Sequence, residues 1–276
     1  MIELNGKRCG FRQSDEGLAR ALGGRVETPD FVLHHTTRLS PVERARIVED
    51  LHFRVRQLRA FFGEDSGQLR VWWYASAQEK HRLVGAGHTQ FAKPWRREVH
   101  VNQLPFPHPV IKHELAHAMA APWGRPPFGV SAGFFGLAPR VAIIEGLAVA
   151  ADDPFDELTL HEWAAAMKKK GLLPAVAEVM TPRGFYATAP SRAYTTAGSF
   201  LRYLRETAGP ERLRDLARDG DFERVYGEPL ATLAARYTDF LDAVPLDTSA
   251  VNQAFARFRR GSLFERPCAR EVGALA

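Results

Sequence analysis

The chain has 276 residues, 45% of them apolar, which supplies a core for one large domain or two small ones without staples. Lys plus Arg at 37 against Asp plus Glu at 32 gives a net charge of +5, too small to point to nucleic acid; the densest basic cluster, RFRR at 257–260, reads as a solvated helix face. No stretch reaches the roughly 18 apolar residues of a membrane span, so neither nucleic acid nor a bilayer core is an expected partner.

The opening MIELNGKRCG lacks the apolar centre of a secretory signal. Its Cys9 and the distant Cys268 show neither the paired spacing of a thiolate metal site nor a disulfide framework. Redox state and compartment therefore stay open: cytoplasmic for a whole chain, extracytoplasmic for a domain excised from a longer one. Oligomeric state is open as well.

After a polar, glycine-containing lead, FVLHHTT at 31–37 predicts a strand. SPVE at 40–43 is a capping box with Pro41 at the first helical position, and Ile47, Val48, Leu51, Val55, Leu58 and Phe62 keep helical spacing up to Gly63. QLRVWWY at 68–74 alternates as a strand, and a second capping box, Ser76 to Glu79, opens a short helix. Extended pieces are expected at 87–92 and 97–102. This first part, residues 1–106, reads as an α/β lobe with a small mixed or antiparallel sheet.

From 107 the pattern turns helical, broken by the Gly, Pro and Phe-rich segment 122–139. Helices are predicted at 109–121, 139–152, 159–170, 190–208, 210–219 and 229–244, giving a helical lobe over 107–245. Leu230, Leu233, Ala234, Tyr237, Phe240 and Leu241 form one apolar stripe that reads as core. Residues 246–276 are expected to be a basic helical extension.

KHELAHAMA at 112–120 carries the chemistry. A helix places His113 and His117 on one face, one turn apart, with Glu114 rotated about 100° away, which suits a metal with a base beside it. A chance His-Glu-x-x-His turns up in roughly one chain in forty of this composition, so context must decide. The plainer reading is a helix with two unremarkable histidines. Against it, the run is otherwise apolar, and buried His and Glu cost free energy unless paired. VAIIEGLAVAA at 141–151 repeats the problem, being apolar all round except for Glu145. A buried Glu145 needs a partner; Arg140 or a histidine is one candidate, a metal another. Two imidazoles and one carboxylate make the open three-ligand set of a catalytic zinc.

HELAH followed by EGLA resembles the gluzincin metallopeptidases, in particular the bacterial peptidase MA-like families. YTTAGSFLRYLRETAGPERLRDLARDG at 194–220 and EPLATLAARYTDFL at 228–241 are similar to the helices that follow the site there, so the likeness runs over about 30–245. It implies an α+β, zincin-like fold with the zinc in a cleft between the sheet lobe and the helical lobe. His113, His117 and Glu145 would be zinc ligands and Glu114 the general base, with peptide or protein as substrate. Tyr194 stands where such enzymes often carry an oxyanion-stabilising tyrosine; Tyr186 is the reserve. One departure is plain. Thermolysin-like members carry an Asp four residues after the glutamate ligand, where this chain has Val149, and Asp152 and Asp153 come later.

The implied reaction is hydrolysis of a peptide bond by water activated between zinc and Glu114. Two other readings are weighed. One is a zincin-like interaction module without turnover; the other is a small amide hydrolase such as a deformylase, which takes a cysteine as third ligand. The segment GHTQFA around 87–92 offers an edge to which an extended peptide can add as a strand. Phe128, Phe134 and Phe135 in the 122–139 segment either roof the cleft or pack as a connector.

Overall fold

The structure is a computed structural model that describes residues 2–4, 7–9, 14–63, 67–133, 136–152 and 158–259. A two-stranded ribbon, β1 (Ile2–Leu4) and β2 (Lys7–Cys9), precedes α1 (Asp15–Leu22). Five strands then build the main sheet: β3 (Gly23–Glu27), β4 (Phe31–Thr36), β5 (Leu69–Tyr74), β6 (Phe91–Lys93) and β7 (Glu98–Asn102), in the order β3-β4-β5-β7-β6. The central β4, β5 and β7 are parallel, whereas β3 and β6 run antiparallel at the two edges. The sheet is thus mixed, within an α+β chain.

Parallel neighbours need a crossover, and α2 (Pro41–Phe62) supplies the one from β4 to β5. Its start is the expected capping box: Ser40 Oγ accepts from the Glu43 N–H, and the Glu43 carboxylate accepts from the Ser40 N–H. At α3 (Ala77–Val84) only half of the expected box forms, because the Glu79 carboxylate accepts from the Ala75 N–H instead. Phe31, Leu33, Leu69, Val71, Trp73, Val99 and Val101 bury one sheet face in the main core. Trp72 and Tyr74 bury the other against Leu18, Leu22 and Leu83 from α1 and α3.

The strand expected at 87–92 is shorter, starting only at Phe91. Residues 87–90 are held through side chains rather than a ladder: Lys80 Nζ donates to the Thr89 carbonyl, Asn102 Nδ2 to the Gly87 carbonyl, and Gln90 Oε1 accepts from the Asn102 N–H.

The rest is mainly helical: α4 (Ile111–Met119), the small hairpin of β8 (Ala132–Gly133) and β9 (Ala138–Pro139), then α5 (Val141–Ala151), α6 (Leu160–Lys169), α7 (Val176–Val179), α8 (Pro182–Ala187), α9 (Pro190–Ala208), α10 (Pro210–Asp219), α11 (Phe222–Tyr226), α12 (Leu230–Asp242) and α13 (Thr248–Phe258). Ala254 and Phe258 of α13 pack on Trp163, Ala166 and Met167 of α6, while Arg257 lies over the Trp163 ring. Arg260 and Cys268 fall outside the described residues. Among the described residues no helix is long and apolar enough to cross a membrane.

His108, on the connection from β7 to α4, fixes where α4 begins. Its Nε2 donates to the Asn102 carbonyl at 2.9 Å and its Nδ1 accepts from the Val110 N–H at 3.4 Å, so the ring is held neutral. Burial lowers its pKa from 6.5 to about 4, against the pull of the Asn102 bond. The unfolded chain then binds the proton first, and stability falls as pH drops from about 6.5 to about 4, by roughly 3 kcal/mol across that window. Urea unfolding of the parent and of His108→Gln at pH 7 and pH 4.5 should show the parent losing more. Equal losses would refute this role.

Candidate metal centre

α4 is almost wholly enclosed: Ile111 to Ala116, Ala118 and Met119 are all buried, with only His117 partly open. Its apolar residues dock on the sheet and on α2, which turns His113 and His117 toward α5. α5 in turn is gripped by α9, and glycine makes that approach possible. A β-carbon on Gly146 would stand 2.9 Å from Leu201 Cδ1, and one on Gly198 would stand 2.3 Å from Val149 Cγ1. Val149, the position of the absent aspartate, is therefore packing against α9. Asp152 is buried at the end of α5, and Asp153 lies outside the described residues.

The packing brings three donors together. His113 Nε2 stands 3.1 Å from His117 Nε2, and Glu145 Oε2 stands 3.3 Å from the first and 3.4 Å from the second. These three form the one His, Cys, Asp or Glu group among the described residues with metal-binding spacing, and a carboxylate rather than a cysteine completes it. Arg140 is not the partner of Glu145; its guanidinium lies against Gly133 and Gly220.

Hydrogen bonds satisfy this triangle only when both rings carry their Nε2 protons and donate to Glu145. A neutral imidazole either carries a proton on Nε2 or presents a lone pair there, and one proton serves one linear bond. If both rings carry the Nε2 proton, both donate to the one Glu145 oxygen; if one does not, a lone pair faces another acceptor. A cation meets all three donors at once. An ion about 2.0–2.1 Å from each tetrahedral donor sets the donors about 3.3–3.4 Å apart, close to the spacing found. The spacing of the three donors suits a metal ion.

Electrostatics agree with the geometry. Burial pushes the Glu145 carboxyl up, but the charges of His117 and His113 and their hydrogen bonds outweigh it and hold it well below the usual carboxylate range. Glu114 is buried too, and burial pushes its carboxyl up, with His117 and His113 opposing and Glu145 adding. The two glutamates are thus pushed apart in proton affinity by their surroundings, one kept as an anion among the rings and the other made more basic.

Neither a scan against protein-family models nor a search of curated proteins returned a match. The chain's own geometry carries the reading. Tyr194 belongs to the early part of α9, which begins at Pro190 rather than at the tyrosine, and its ring centre is 6.4 Å from that of His113. Tyr186 is 57% exposed and packs edge-on against Phe185, with which Tyr194 also makes contact. Of the two tyrosines, Tyr194 is the one placed at the histidines. Phe128 is 41% exposed and meets Trp95 edge-on at 5.6 Å, while Phe134 and Phe135 lie outside the described residues. Ser131, a single serine in a glycine-rich stretch with no motif around it, borders the site beside His117.

Proposed function

We propose that this chain is a zinc-dependent metallopeptidase of the gluzincin kind, with a zincin-like fold and the zinc held by His113, His117 and Glu145 between the sheet lobe and the helical lobe. The observation that carries the reading is the triangle of three donors at 3.1–3.4 Å with the buried carboxylate of Glu114 on the same helix. A purely structural ion has no need of a base beside it, which disfavours an interaction module.

When bound, zinc supplies a Lewis acid that polarises a carbonyl and eases deprotonation of water at neutral pH. Glu114 accepts the proton of the attacking water and passes it to the leaving amine. Glu145, fixed as an anion, holds the two imidazoles in register. β6 is the one of the sheet's two edge strands that packs beside α4, so an extended peptide pairs with it and lies across the triad. Tyr194 donates a hydrogen bond to the oxyanion that forms as water adds.

The test is hydrolysis of a mixed peptide library by the purified protein, before and after chelation and after return of zinc. Cleavage that disappears and comes back is the expected result; zinc bound with no cleavage at all favours the module. Tyr194→Phe should keep its metal while turnover falls about a hundredfold, the usual scale for one oxyanion donor. Such a loss in Tyr186→Phe instead would move the role there.

A further inference from the structure

A recess opens beside the triad on the His117 side and takes no part in the hydrolytic step. It lies between Pro94, next to the end of edge strand β6, and Ser131, next to the start of β8, with Ala120 just after α4 and Ile144 and Leu147 of α5 among its walls. Its cavity volume is about 20 Å³. One water needs about 10–15 Å³, so the space is on the scale of a methyl or hydroxymethyl group. Trp95 and Phe128, the neighbours in sequence of two lining residues, Pro94 and Gly129, meet edge-on at 5.6 Å.

Besides His117 of the triad, the walls carry one polar side chain. Ser131 is 3% exposed, lines the recess, and its Oγ is buried with no hydrogen-bond partner among the described residues. A hydroxyl left so among apolar groups is costly, and a ligand that brings its own donor and acceptor relieves the cost. We propose that this recess is a side-chain subsite of the cleft and that Ser131 is its specificity-determining residue, selecting serine, and after it threonine, at a position flanking the cut bond. The inference rests on the peptidase reading and adds to it the side chain that the site prefers. Leucine and phenylalanine are larger than this space; alanine fits but leaves Ser131 unpaired. A site that hydrogen-bonds a substrate hydroxyl penalises the analogue that lacks one.

The experiment uses the zinc-loaded protein and peptides identical except for serine, threonine, alanine, leucine or phenylalanine at each flanking position in turn. At one position kcat/KM for serine should exceed that for alanine by about tenfold or more, with phenylalanine lowest. Ser131→Ala should bring the serine-to-alanine ratio close to one with parent metal content, and Ala217→Leu, which fills the recess from α10, should cut the serine peptide's KM-dependent advantage in a chain that still melts cooperatively. An unchanged ratio in Ser131→Ala overturns the subsite while leaving the peptidase reading intact, as does a peptide-analogue complex in which a single water stays on Ser131. A zinc-loaded chain that cuts none of the peptides, nor any library member, overturns the peptidase reading itself and the subsite with it.

Discussion

His113→Ala and Glu145→Ala should each purify with little or no metal, their affinity lowered by on the order of a hundredfold or more. Even partners that only orient a ligand are typically worth 10- to 100-fold, and each of these residues supplies one of just three donor atoms. Their failure would also be visible without metal. Removing Glu145 leaves two imidazoles 3.1 Å apart with no anion beside them, and removing His113 leaves a half-buried carboxylate with one ring in place of two. Glu145→Gln is the companion that keeps shape and removes charge, and it too should lose most of the metal while remaining folded by circular dichroism. Elemental analysis of the three variants beside the parent decides the point; full metal occupancy in all of them would end the ligand assignment.

Glu114→Gln should do the opposite, keeping the metal and losing the reaction. Glu114 sits one residue from His113 on α4, rotated off the donor triangle, and it is not among the three converging atoms. The amide preserves volume and removes the group that accepts a proton, so turnover should fall by at least the 10² to 10⁴ that general-base catalysis supplies. Peptide hydrolysis and zinc content measured on the same preparation separate the outcomes. Lost zinc would make Glu114 a ligand or a support, and undiminished cleavage would remove it from the mechanism.

What was legible in the sequence was whatever rested on local rules. Ser40 with Glu43, and Gly63 after a 22-residue helix, marked α2 at both ends because capping is a contact between near neighbours. HELAH and EGLA were legible for a related reason: ionisable residues inside apolar helical runs call for a partner. That the three belong together was an expectation from the motif pair and its resemblance, and the docking of α4, α5 and α9 is what closes the 32 positions between His113 and Glu145. The limit of local rules hid β3, whose GGRVE alternates exposed and half-buried residues without an apolar period, and the four- to six-residue helices α7, α8 and α11, too short to show one. These pieces hold their shape through tertiary packing. Ser131 is the extreme case, ordinary in sequence and singled out only by the walls around it.

The most direct measurement of the central claim is a crystal structure of the zinc-saturated protein soaked with a peptide hydroxamate, with anomalous data at the zinc edge. The account predicts one zinc held by His113 Nε2, His117 Nε2 and Glu145 Oε2 at about 2.0–2.2 Å, with the hydroxamate in the remaining position and within reach of Glu114. An empty triad in such a crystal, or a fourth protein side chain closing the ion off from the hydroxamate, would contradict it.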